Sequence, residues 1–118
     1  MPRERDSTIT LSPAWVHILL ALAGGDRHGY ALMQEVAAAS AGEIRLGPGT
    51  LYGALRRLLE LGLVAESTRR PGPDEDARRR YYRITPAGRR ALSVEIARHA
   101  RLVALARTSR VLPKPRPA

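Results

Sequence analysis

The nine residues Arg70 to Arg78, Arg-Pro-Gly-Pro-Asp-Glu-Asp-Ala-Arg, restrict most what this chain can become. Two prolines with a glycine between them fix φ, remove ladder donors and forbid regular structure. Extended runs stand on either side, Leu63 to Arg69 and Arg79 to Thr85. Two strands joined by a polar loop make a β-hairpin, and a loop this long is usually functional or mobile. Nearly all the rest of the chain reads as helix or turn, so the fold sets one hairpin among helices.

Ser12-Pro13 starts a first helix, with serine as N-cap and proline at the first helical position. Trp15, Ile18, Leu19 and Leu22 follow at helical spacing, and Gly24-Gly25-Asp26 stops it. Gly29 opens a second helix with the apolar set Tyr30, Met33, Val36 and Ala37, ending near Ser40-Ala41-Gly42. Ile44-Arg45-Leu46 reads as a short extended piece before Gly47-Pro48-Gly49. Thr50 is the candidate N-cap of a third helix, whose Leu51, Leu55, Leu58, Leu59 and Gly62 fall on one side. Thr85-Pro86 repeats the cap-plus-proline signal, and a fourth helix runs from Ala87 to Arg107. Its Leu92, Ile96, His99, Val103 and Ala106 step by four, three, four and three, the spacing of a coiled-coil seam, with Leu102 and Leu105 widening the face.

Helix, helix, turn, helix, hairpin, long helix is the order of a winged helix-turn-helix, in which the third helix enters the DNA major groove and the hairpin flanks it. The expected fold class is mainly α with a small β-hairpin. Residues 1–10 form a flexible tail and 11–85 the winged helix-turn-helix. Residues 86–110 form a C-terminal dimerisation helix, and 111–118 a disordered Pro-rich tail.

At 118 residues the chain suits one domain, and its 20 basic against 11 acidic residues, net +9, favour a polyanionic partner. Without cysteine there are no disulfides, thiolate metal sites or thiol nucleophiles, which fits a reducing cytoplasm. The N-terminus lacks an apolar signal region, and Ala14 to Gly25 is too short to span a bilayer, so no membrane partner is expected. His17, His28 and His99 are too scattered for a metal motif, and Asp74, Glu75 and Asp76 form the sole carboxylate cluster. No phosphate loop or dinucleotide fingerprint occurs. The reading is a cytoplasmic protein that is no enzyme and needs no metal or cofactor.

With the leucines inward, the third helix turns Gly53, Arg56, Arg57 and Glu60 outward, Thr50 and Tyr52 at the margins. The arginines suit guanine or phosphate, and glycine lets the helix backbone approach DNA closely. Arg69, Arg70, Arg78, Arg79 and Arg80 lie at the bases of the hairpin loop, its acids at the tip, so the strand bases carry the contacts. Tyr52 either packs in the core or reaches a phosphate. His28 either caps the second helix or, with Tyr30, helps its N-terminus take one. Tyr82 is expected to face inward and Tyr81 outward. Two other readings stay open: a winged helix that binds protein, and a basic protein that binds nucleic acid without sequence preference.

Six segments carry a family resemblance. They are His28-Gly29-Tyr30, Gly47-Pro48-Gly49-Thr50-Leu51-Tyr52, Leu55-Arg56-Arg57-Leu58, Leu61-Gly62-Leu63-Val64, Arg80-Tyr81-Tyr82 and Ile84-Thr85-Pro86-Ala87-Gly88. In this order and spacing the chain resembles the PadR family of bacterial transcriptional regulators, in its short subfamily with one C-terminal helix. The resemblance implies a winged-helix domain on double-stranded DNA, a homodimer and, usually, repression through an inverted-repeat operator. Many members have proline where Gly53 stands here. It also implies a dimer interface on the C-terminal helix with help from the first: Trp15, Leu92, Ile96, His99, Leu102, Val103 and Ala106. Some relatives take aromatic or drug-like effectors there; no motif here points to one, and Trp15 either lines such a pocket or packs in the core or dimer. His99 on the seam either makes the dimer acid-sensitive or is a hydrogen-bonded structural residue.

Overall fold

The computed structural model describes residues 9–73, 76 and 78–113. The chain runs through α1 (Pro13–Ala23), β1 (Arg27–His28), α2 (Gly29–Ala39), α3 (Pro48–Glu60), β2 (Val64–Glu66), β3 (Tyr81–Ile84) and α4 (Pro86–Thr108). It is mostly helical, with one three-stranded antiparallel sheet in the order β1-β3-β2. Arg27 and His28 pair with Tyr82 and Tyr81, while Val64, Ala65 and Glu66 pair with Ile84, Arg83 and Tyr82. This is a winged helix-turn-helix.

Local chemistry sets two helix starts as expected. Ser12 Oγ accepts from the Trp15 N–H at 3.2 Å, and Thr85 Oγ1 accepts from the Gly88 N–H at 3.0 Å, each with proline next in the chain. Thr50 is different: α3 begins at Pro48 with Gly47 as cap, so Thr50 sits inside the first turn. Proline at N1, with its fixed φ and no N–H to strand, sets that boundary. Ile44 to Leu46 forms no strand, and the hairpin strands are shorter than the extended runs suggested.

The core gathers α1, α2, α3, the sheet and the first turns of α4. Ile18, Leu19, Leu22, Leu32, Val36, Leu51, Leu55 and Leu58 are almost wholly buried. On α2 the inward face is Gly29, Leu32 and Val36; of the expected set, Val36 is buried and Met33 packs against the core, while Tyr30 is exposed. Leu59 of α3 is also exposed. Ile9 packs on the core, so the packed domain reaches back past residue 11 into the expected tail of 1–10, of which residues 1–8 lie outside the described residues. At the other end, the Val111 and Leu112 N–H groups both bond Ala106 O, and Arg110 has the left-handed φ of 63° that closes the helix. The expected Pro-rich tail is described only through Pro113.

Gly88 locks α4 onto the sheet. A Cβ there would run into the Leu63 carbonyl oxygen and come within 2.8 Å of Ile84 Cγ1. The obstacle is backbone, so it cannot swing aside. Gly88→Ala is expected to cost about 2 kcal/mol, read as a lower denaturant midpoint with unchanged slope.

Glu95, a charged residue on α4, is only 7% exposed. Its carboxylate accepts from the Leu11 N–H at 3.3 Å and Arg98 Nη1 at 3.1 Å, with His99 Nε2 at 3.2 Å, tying the start of the domain to α4. The Leu11 N–H, and then Arg98 and His99, hold the carboxyl below its ordinary value of 4.5, against the opposing effect of burial. A carboxyl depressed in the folded state stabilises above its unfolded pKa and loses that contribution as pH falls through the folded one. Below about pH 4.5 the Tm should therefore fall more steeply in the unsubstituted protein than in Glu95→Gln.

Candidate nucleic-acid interface

Residues whose positions lie about 100° apart along a helix share a face at steps of three and four. On α3, Leu51, Leu55 and Leu58 are buried, and Gly53, Arg56, Arg57 and Glu60 are exposed on the opposite side. Arg57 Nη1 donates to Glu60 Oε1 at 3.1 Å, with both side chains more than half exposed. Arg56 projects to solvent with no such tie among the described residues. Around Gly53 nothing lies within 4 Å of where a Cβ would stand. Packing therefore does not call for glycine there, and Thr50 is likewise exposed.

Tyr52 lies at the margin, 45% exposed, its ring over the start of α2. Gly29 makes room for it: a Cβ at Gly29 would sit 2.7 Å from Tyr52 Cζ. Tyr52 is therefore no core residue: it is half-exposed, with the hydroxyl end of its ring packed over Gly29.

The base of the wing closes the other side. Asp76, Arg78, Arg79 and Arg80 join Tyr52 and Tyr82 in lining a groove of about 240 Å³ between α3 and the hairpin. Arg78 Nε lies 3.3 Å from Asp76, whose carboxyl is held below its ordinary range by the Arg78 N–H and then by the guanidinium. Arg80 pairs loosely with Glu66 at 3.9 Å. Burial, with Tyr52 and Glu66 nearby, pushes the Tyr82 hydroxyl above its ordinary value, so it stays a neutral donor. Asp74 and Glu75, the expected acidic tip, lie outside the described residues.

His28 caps α2: its Nδ1 accepts from the Ala31 N–H at 3.1 Å, and its Nε2 lies 2.9 Å from Arg79 Nη1. Arg79 also stands 5.7 Å from the exposed ring of Tyr30. Tyr82 joins the core as expected. Tyr81 points to the other face of the sheet yet is only 3% exposed, because the His28 ring meets it edge-on at 5.3 Å and the Arg69 guanidinium covers it at 4.3 Å. Arg69 therefore has a packing role, and Arg70 donates to the Thr68 carbonyl at 3.2 Å. The sequence reading missed β1 and the Ser67 Oγ–Asp26 hydrogen bond that straps the wing to the end of α1. A serine directly after a strand and an aspartate in a turn were the signals present, too common to single out.

The expected dimer residues split. Leu92 is in its own chain's core and Trp15 is packed partly against it, so Leu92 is not available as surface. From Ile96 onward no residue of α4 is buried: Ile96, Leu102, Val103 and Leu105 are 41%, 63%, 37% and 62% exposed, His99 is exposed and Ala106 half-buried.

An exposed helix bearing arginines, a basic groove beside it and a wing define a protein of the winged helix-turn-helix class. Residues 18–94 match the transcriptional regulator PadR-like family, and the chain belongs to that family. It is similar to an uncharacterised 37.1 kDa protein in transposon TN4556 of Streptomyces fradiae, 46% identical over 85 residues; the match covers 72% of this chain and 22% of that protein. It is also similar to the transcriptional regulator Rv3488 of Mycobacterium tuberculosis, 42% identical over 78 residues, covering 66% of this chain and 67% of the relative. Among solved structures, a PadR family transcription regulator from Clostridium difficile shares the fold, with a TM-score of 0.65 over 86% of this chain and all of that one, at 22% identity. The family and the Mycobacterium tuberculosis relative are described as transcriptional regulators. Among the described residues, no helix is long and apolar enough to cross a membrane, and no side-chain group could hold a metal ion.

Proposed function

We propose that this chain represses transcription as a homodimer bound to an inverted-repeat operator on double-stranded DNA. The observation that carries the reading is the outward face of α3, with Gly53, Arg56 and Arg57 uncovered beside a groove walled by Arg78, Arg79 and Arg80. Guanidinium groups on a helix of 13 residues fit guanine edges in the major groove, while the wing arginines fit phosphates. We assign Tyr30, Thr50, Tyr52, His28, Arg69 and Arg70 to the same contact zone, His28 and Arg69 mainly by holding neighbours in place.

The uncovered apolar half of α4 supports the homodimer. Ile96, His99, Leu102, Val103 and Ala106 are offered to a second copy, which removes an exposed stripe from water and sets two α3 helices about a two-fold axis. Half-sites should then lie roughly 34–36 Å apart, or a multiple of that. A regulator of this kind works where the chromosome is, in the cytoplasm.

Gly53 gives a test in which stability and binding move in opposite directions. A mid-helix glycine with open space costs about 1 kcal/mol relative to alanine. Gly53→Ala should raise the Tm and yet weaken operator binding, because the added methyl holds the helix off the groove. Equal or tighter binding would show that the backbone does not approach DNA there. For the repressor itself, the chain's own upstream region is placed before a reporter. Co-expression of the protein should lower reporter output, and Arg56→Ala/Arg57→Ala should restore it; unchanged output in the presence of the protein would refute repression at that site.

A further inference from the structure

Glu60 is out of place on a surface that meets DNA through cations. It shares the exposed face of α3 with Gly53, Arg56 and Arg57, is more than half exposed, and ties up Arg57 at 3.1 Å. No packing holds it there. Ionised, a carboxylate only accepts hydrogen bonds, and every phosphate oxygen of a duplex also only accepts. Against random DNA, Glu60 therefore repels the backbone and withholds Arg57 from it. In the major groove, hydrogen-bond donors come from the amino groups of cytosine and adenine.

We propose that Glu60 is a specificity-determining residue that accepts from a cytosine amino group in each half-site, working as a unit with Arg57, which donates to guanine. The inference rests on the DNA-binding reading of α3. Two adjacent G·C pairs, with the guanine of one and the cytosine of the other facing α3, present acceptors and a donor, the complement of an arginine and a glutamate three residues apart. With the right bases the carboxylate gains a donor and Arg57 is released to the guanine. With the wrong bases, Glu60 faces only acceptors and Arg57 stays paired to it. The ion pair itself is exposed and adds little to folding. Its position on the outward face then matters for discrimination more than for stability.

The test is selection from a random duplex library by the full chain, unsubstituted, as Glu60→Ala and as Glu60→Gln. The unsubstituted protein should enrich cytosine at one position per half-site by roughly tenfold or more. Glu60→Ala should lose that preference while keeping the rest of the consensus, and on random duplex its log–log salt slope should steepen by about 0.9, as Arg57 gains a phosphate. Glu60→Gln should move the preference from cytosine toward adenine, which pairs with an amide. A Glu60→Ala consensus identical to the unsubstituted one overturns this inference and leaves the DNA-binding reading standing. If the unsubstituted protein selects no consensus, the DNA reading fails and takes this one with it.

Discussion

Arg56→Ala combined with Arg57→Ala should weaken operator binding by about a hundredfold at physiological salt. Each guanidinium that pairs with a base edge carries roughly 1–3 kcal/mol of discrimination, and the two act on the same face of α3. The substitutions should hardly touch folding. Both side chains are exposed, and the one ion pair lost, Arg57 with Glu60, is a surface pair of the kind worth a few tenths of a kcal/mol. Arginine and alanine are also both good helix formers. The Tm should therefore stay within about 3 °C while the titration shifts by two decades. Loss of binding with a matching fall in Tm would mean that the arginines support the fold; unchanged binding would move the recognition surface off α3.

Leu102→Glu should convert the protein to a monomer and, with it, lose most operator affinity. Leu102 is 63% exposed in the single chain, so a glutamate there is solvated and the domain folds as before. In a dimer that covers the α4 stripe, the same carboxylate would be buried without a partner, at a cost of several kcal/mol. Sedimentation velocity should show the unsubstituted chain at twice its chain mass and the variant at one, with the same far-UV circular dichroism. Both half-sites must then be found separately, so affinity for the full operator should approach that for a single half-site. A variant that stays dimeric would place the interface elsewhere, on the remaining exposed apolar residues such as Leu20 of α1.

The parts of the fold written in local chemistry were legible. Ser12-Pro13 and Thr85-Pro86 are caps whose hydrogen bonds span three residues, and both form as expected. The outward face of α3 followed from helical geometry alone, since Leu51, Leu55 and Leu58 left Gly53, Arg56 and Arg57 nowhere else to go. Thr50 went wrong because two start signals overlapped, and Pro48 outweighs a threonine two residues later. What stayed hidden was set by partners far along the chain. β1 is two residues long and exists because β3 pairs with it. The same pairing carries His28 onto Tyr81, which together with Arg69 buries a ring that strand alternation alone would leave in water. Leu92 shows the limit on α4: the seam spacing marks the apolar side of a long helix, but not the point at which its own domain ends.

The central claim, sequence-specific binding of duplex DNA, is tested most directly by one titration. The protein is titrated onto the duplex of its own upstream region, in excess random duplex, at two salt concentrations. Binding that survives the competitor, and that weakens with salt by a slope equal to about 0.9 for each phosphate neutralised, is the expected result. Binding that random duplex removes in proportion to its concentration, at both salt concentrations, would contradict it.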